Sequence, residues 1–277
     1  MKFTKMHGLG NDFCVVAEFS TVPDNVAELA QRVCNRNFGV GADGMVFILP
    51  SEIADFQMRI FNSDGSEPEQ CGNAVRCVGK YVYDNGLTQK EEITLQTLAG
   101  IQRIQLFIEE GKVQKVTVDM GEPTLAAEQI PTALTGDRVI QHPISVPEGD
   151  FAFTAVSMGN PHAVIFVDSL QNVDLHAAGP QIETHDLFPR KTNVEFVEVH
   201  SPQEVTMHVW ERGCGETLAC GTGACAVAVA SALNARTGRE VQIHLKGGDL
   251  HIHWNEADNR VYMTGPSVAV YEGQLLF

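Results

Sequence analysis

No stretch of this 277-residue chain combines length with bulky apolar side chains. The longest uncharged run, residues 217–235, is mostly Ala, Gly, Ser, Thr and Val with almost no Leu, Ile or Phe. Such a run suits a helix buried in a protein core rather than a membrane span. Residues 1–13, MKFTKMHGLGNDF, lack the apolar centre of a secretory signal, so a mature, cytoplasmic protein is expected. Positive charge is also scarce: 19 Lys and Arg stand against 35 Asp and Glu, a net charge of −16 that argues against a nucleic-acid backbone or an anionic membrane as partner. A small-molecule ligand is expected instead. The seven cysteines are an odd number and none forms a CxxC pair, so neither a disulfide framework nor a usual zinc site is indicated, and no metal is expected. Cys14, Cys34, Cys77 and Cys225 read as small buried apolar residues; Cys214 is left open.

What remains is an ordinary globular composition, 44% hydrophobic and 19% charged, long enough for one large domain or two of ordinary size. The pattern predicts strands over 2–6 and 13–18, then an amphipathic helix capped by Asp24, with Val26, Leu29, Ala30 and Val33 at i, i+3, i+4 and i+7. Strands over 45–49 and 56–62 lead to a helix over about 73–85, and three strands follow between 93 and 120. Residues 121–150, proline-containing and without period, read as a connector. The programme then repeats: strands over 153–157 and 163–168, a short helix over 175–184, strands over 194–200 and 205–211, a helix after Cys220, and strands over 241–246, 250–254 and 260–264, with a last one over 268–271.

The repetition has a fixed offset of 149 residues. It pairs Gly10 with Gly159, Asn11 with Asn160, Phe47 with Phe196, Met58 with Met207, Glu67 with Glu216, Cys71 with Cys220, Gly72 with Gly221 and Val78 with Val227. The expected fold is therefore α/β (α+β): two pseudosymmetric homologous halves, each of mixed and antiparallel strands wrapped around a central apolar helix, with the active site in the cleft between them. Residues 1–120 form the half carrying Cys71 and 121–266 the half carrying Cys220, with 267–277 as a strand that can cross back to the first.

Each half places Cys-Gly at a helix start, where backbone N–H groups favour a thiolate and bind anions. Two facing thiols suit stereoinversion next to a carboxylate: one thiolate removes the α-proton and the opposing thiol supplies another to the far face. Charge developing on the carboxylate would be met by the N–H groups of Gly72, Asn73, Gly221 and Thr222. The scheme requires no metal and no cofactor.

The blocks MHGLGNDF, FNSDGSEPEQCGN, MGNPH, TNVEF and ERGCGETLACGTGA, in this order over nearly the whole chain, resemble the diaminopimelate epimerase family. The second cysteine block alone is shared with relatives such as proline racemase; the full set is not. The resemblance implies two pseudosymmetric α/β halves, a cofactor-independent two-base mechanism, a homodimer, and interconversion of LL- and meso-2,6-diaminopimelate on the route to lysine and peptidoglycan. It makes Cys71 and Cys220 the acid/base pair. His162 and Glu211 would tune their protonation or hold the reacting ammonium group, and Asn11, Asn62, Asn160, Asn193 and Arg212 would bind substrate polar groups. Gly72, Asn73, Gly221 and Thr222 would present N–H to a carboxylate, and Tyr271 would lie at the dimer interface. The chain departs from the family pattern at Ala74, where glycine is usual, and at Gly44, where some members have glutamine. A proline or hydroxyproline racemase-type enzyme and a thiol redox sensor using Cys71 and Cys220 are the alternative readings.

Overall fold

In the computed structural model of the chain, the uncharged run after Cys220 is a helix, Gly221–Leu233, and its lack of charge is explained by its surroundings: residues 223–231 are all buried. The structure describes residues 1–18, 20–69 and 71–276. The chain divides into two compact units, Met1–Asp119 with Thr264–Phe277, and Met120–Met263.

The first unit runs β1 (Lys2–Gly8), β2 (Asn11–Val16), α1 (Val26–Cys34), β3 (Gly44–Leu49), β4 (Phe56–Asn62), α2 (Gly72–Asp84), β5 (Glu92–Thr97), β6 (Gly100–Glu109) and β7 (Lys112–Asp119). β1 and β2 are antiparallel, β2 and β3 parallel, β3 and β4 antiparallel, β4 and β5 parallel. A parallel pair needs a long crossover, and α1 and α2 are those crossovers. In the second unit β8 (His142–Val146) precedes β9 (Gly149–Ser157), β10 (Pro161–Val167), α3 (Leu175–Glu183), β11 (Asn193–Ser201), β12 (Glu204–Glu211), the short β13 (Gly215–Glu216), α4 (Gly221–Leu233), β14 (Glu240–Leu245) and β15 (Gly248–Trp254), and β16 (Val261–Pro266) begins in this unit and ends in the first. β9 and β10 are antiparallel, β10 and β11 parallel, β11 and β12 antiparallel, β12 and β14 parallel. The units thus share one order of strands and crossovers. Their helices keep the offset of 149 to the residue: α1 and α3, and α2 and α4, begin and end 149 positions apart. The last strand, β17 (Val268–Gln274), is longer than expected and pairs antiparallel with β1 of the first unit.

α2 and α4 carry the interiors. Nine of the thirteen residues of α2 are buried, including the whole of Arg76, and Gly79 leaves room for Ile104 and Leu106, which would lie 2.8 and 3.0 Å from an added Cβ.

Two local expectations need correction. Asp24 does not cap α1: the N-cap is Asn25, whose backbone lies outside the extended region and whose side chain makes no cap bond, because a turn from Pro23 O to Val26 N starts the helix instead. Residues 121–150 are not merely a connector. Ala127 and Ile130 are fully buried in the core of the second unit, and β8 adds a strand to β9. Pro143 sits within β8 opposite Ala152, as proline does in strands with one side unpaired. No helix among the described residues is long and apolar enough to cross a membrane.

Candidate active site

Both predicted catalytic cysteines are helix N-caps with extended backbones: Cys71 at φ −149°, ψ 107° for α2 and Cys220 at φ −118°, ψ 107° for α4. In the first unit a hairpin turn between β1 and β2, with Leu9 and Gly10 at positive φ, brings Asn11 to the start of α2. The Cys71 thiol lies 3.8 Å from Asn11 Oδ1, which also accepts from Asn73 Nδ2 at 3.0 Å. Asn11 Nδ2 donates to Asp43 Oδ2 at 2.7 Å, and Asp12 holds Lys5 at 2.5 Å and Arg36 at 2.9 Å. Those two cations keep the Asp12 carboxyl below its ordinary range, against the upward push of burial. Beneath α2, Arg76 donates to Asn73 Oδ1 at 2.8 Å and to Pro266 O at 3.2 Å. Asn62, at the end of β4, donates its amide to Ser66 Oγ at 3.0 Å.

In the second unit the turn at Gly159, φ 95°, presents Asn160 to α4. Asn160 Nδ2 donates to Thr222 Oγ1 at 3.2 Å, and Thr222 Oγ1 lies 3.6 Å from Cys220 Sγ. The sulfur also accepts from Gly223 N at 3.4 Å. His162 is wholly buried and held at both ring nitrogens, by Asn160 Oδ1 at 3.0 Å and by Glu195 Oε1 at 2.6 Å. Glu211, at the end of β12, takes a short hydrogen bond from Thr217. Burial raises its carboxyl above the ordinary value, with Glu195 adding to the effect, while Thr217 and His162 oppose it. Asn193 is used at both ends of its amide, donating to Pro161 O at 2.8 Å and accepting from Arg212 N at 2.9 Å. It therefore fixes the turn that carries Arg212, whose exposed guanidinium touches Arg190 O at 3.4 Å.

The structure thus joins Asn11, Cys71 and Asn73 in one unit, and Asn160, His162, Glu211, Cys220 and Thr222 in the other. A helix start favours a thiolate at Cys220, and the structure sets other influences against it. The helix-end donor is present, but burial first, and then the Glu211 and Glu195 charges, push this thiol well above the ordinary 9.0; Thr222 and Gly223 only partly offset them. Glu195 is the residue that sequence reasoning missed. Its signal was a lone acid within the apolar run Val194-Glu195-Phe196-Val197, and the whole run is buried.

The fold is that of the racemase and epimerase class to which several solved proteins conform. A probable proline racemase from Agrobacterium radiobacter aligns with a TM-score of 0.71 at 17% identity, over 99% of this chain and 92% of that one. A PhzF-family phenazine biosynthesis protein from Bacillus anthracis aligns at 0.73 and 16%, over the whole of both. Sequence narrows the class. The Diaminopimelate epimerase family profile matches residues 3–126 and 154–270, and the diaminopimelate epimerase of Desulfitobacterium hafniense is 55% identical over 279 aligned positions, 100% of this chain and 98% of that protein. The chain belongs to the diaminopimelate epimerase family, as the motif blocks implied.

Proposed function

We propose that this chain interconverts LL- and meso-2,6-diaminopimelate by two-base proton transfer at one α-carbon, with Cys71 and Cys220 as the bases. The family membership supports the substrate, and the matched N-cap cysteines at the two equivalent helix starts support the mechanism. Burial and two carboxylates favour the protonated form of Cys220, so Cys220 is the acid for one stereoisomer and Cys71 the base. The proton leaves the α-carbon for Cys71 as a thiol, and Cys220 gives its own proton to the opposite face and is left as thiolate. The reverse reaction starts from that second state. N–H groups of Gly72, Asn73, Gly221 and Thr222 stabilise the carboxylate as charge develops on it. Arg212 suits the distal carboxylate, because an exposed guanidinium can make a bidentate pair.

A homodimer through the β17 edge accompanies this reading. Val268, Val270 and Tyr271 are 43–56% exposed on that strand, and Tyr271 packs edge-on against Phe3 at 6.1 Å. A monomer by sedimentation would remove it.

Purified reduced protein, without added cofactor, should epimerise diaminopimelate and exchange its α-proton with deuterium oxide. Cys71→Ala and Cys220→Ala should each lose epimerisation by at least ~10³-fold, within the range of a positioned acid or base. Turnover of proline with diaminopimelate inert would overturn the proposal.

A further inference from the structure

Beyond its charge, the buried Glu195 has no part in the chemistry above, and it stands in an unusual position. Its carboxylate is fully inaccessible, Oε1 lies 2.6 Å from His162 Nδ1, and Oε2 has no hydrogen-bond partner among the described residues. A buried carboxylate with an unsatisfied oxygen is costly and persists where something requires it. Here it begins a continuous chain of contacts. His162 Nε2 meets Asn160 Oδ1, Asn160 Nδ2 meets Thr222 Oγ1, and Thr222 Oγ1 meets Cys220 Sγ, at 3.0, 3.2 and 3.6 Å.

Donors and acceptors in this chain fix one another. With Asn160 oriented so that its amide donates to Thr222, its carbonyl oxygen must receive a proton from His162, so Nε2 carries hydrogen. The contact from Nδ1 to Glu195 then holds one proton as well, whichever of the two atoms carries it. Thr222, whose oxygen accepts from Asn160, has its own O–H free for the sulfur. In the opposite direction Asn160 would present its amide to a bare Nε2, and Thr222 would donate to Asn160 and turn away from Cys220. The link between Glu195 and His162 holds its proton in either direction, so the hydrogen on Nε2 decides between the two.

We infer that Glu195 is a positioning residue for this family's reaction: by sharing one proton with His162 Nδ1 while Nε2 keeps its own hydrogen, it sets the direction of the chain through Asn160 so that the Thr222 hydroxyl points at Cys220. A hydroxyl aimed at the sulfur stabilises the thiolate that the acid step leaves behind. Gly223 is part of the same arrangement. An added Cβ there would stand 2.8 Å from Glu195 Oε1 and 3.1 Å from Cys220 Sγ, so only glycine lets the carboxylate reach the first turn of α4.

The inference rests on the proposed epimerase reading, and its test keeps the two apart. Glu195→Met, similar in volume, should lower kcat for diaminopimelate by about 100-fold, the lower end of what a positioned acid contributes, with little change in KM. Glu195→Gln should recover most of that loss, because its amide can donate to Nδ1 and leave Nε2 protonated. Thr222→Val should cost about as much as Glu195→Met, and the double variant no more than either. Additive losses, a glutamine variant as poor as methionine, or a methionine variant with wild-type kcat would overturn the inference. Nitrogen-15 spectra of the wild-type imidazole test it without any variant: hydrogen on Nε2 is required, and a bare Nε2 would sink the chain's direction even if every variant misfolds. A wild-type protein inert toward diaminopimelate would defeat the functional reading, while the imidazole spectrum would still decide this one.

Discussion

The starts of α2 and α4 are the same backbone with opposite electrostatics. At the offset of 149, Asn11 and Asn160 each reach a residue 62 positions on, Asn73 at 3.0 Å and Thr222 at 3.2 Å, beside an N-cap cysteine. The surroundings diverge. Where the second unit has His162, Glu195 and Glu211, the first has Phe13, Val46 and Asn62; where the first has the buried Arg76, the second has Cys225. Around Cys220 the buried charges are carboxylates, and under Asn73 the buried charge is a guanidinium. The difference teaches that duplication supplied two like helix starts, while a handful of substitutions inside each unit gave them unlike charged surroundings. A base and an acid must differ in this way if one is to be charged while the other is not.

Removing the cation should break the comparison most severely. Arg76→Met takes away donors to Asn73 Oδ1, Gly72 O and Pro266 O inside a dry core. A cost of about 3 kcal/mol is expected, the scale of hydrogen bonds to a charged donor lost with buried acceptors left behind. The Asn73 contact to Asn11 should loosen with it. Urea unfolding of the variant measures this; a stability within ~1 kcal/mol of wild type would show that Arg76 is not a structural pin.

A reciprocal swap at one aligned position is gentler and sharper. Ala74 and Gly223 occupy the same place in the first turns of α2 and α4. At the offset of 149, Val46 stands where Glu195 stands in the other unit, and so an alanine is accommodated at position 74. Ala74→Gly should cost about 1 kcal/mol, the helix propensity difference, and spare activity. Gly223→Ala should cost about 1–3 kcal/mol through crowding of Glu195 and Cys220, and also lower kcat by roughly tenfold. Equal losses of activity at the two positions would mean that the asymmetry does not matter to the reaction.

Much of this was legible in the sequence because it is written in residue type and spacing. The offset found the duplication, and Cys-Gly at a helix start is visible without coordinates. The helices obey the offset to the residue because their length is fixed by packing against equivalent strands. Hydrogen-bond partners were not legible: Asn193 reads as a substrate contact, and its amide also donates to Pro161 O and accepts from Arg212 N. Nor was the upward push on the Cys220 thiol, since burial comes first and the two carboxylates that add to it, Glu211 and Glu195, come from β12 and β11 rather than from α4. Asn25 displaced Asp24 as the cap of α1 for a similarly local reason, the phase of the Pro23 turn.

The smallest expected effect concerns the buried thiols of the first unit. Cys14, Cys34 and Cys77 all lie in the first unit, and burial pushes them from 9.0 to about 11, about 12 and about 12. An unfolded thiol ionises near its ordinary value while these keep their protons, so the stability they contribute is complete below about pH 9. It is lost as pH rises through the folded values, at ~1.4 kcal/mol per pH unit for each thiol. Cys77→Ala should make the alkaline slope of unfolding free energy between pH 9 and 11 shallower by up to ~1.4 kcal/mol per pH unit. An unchanged slope in urea unfolding across that range would show that the Cys77 thiol carries none of this loss.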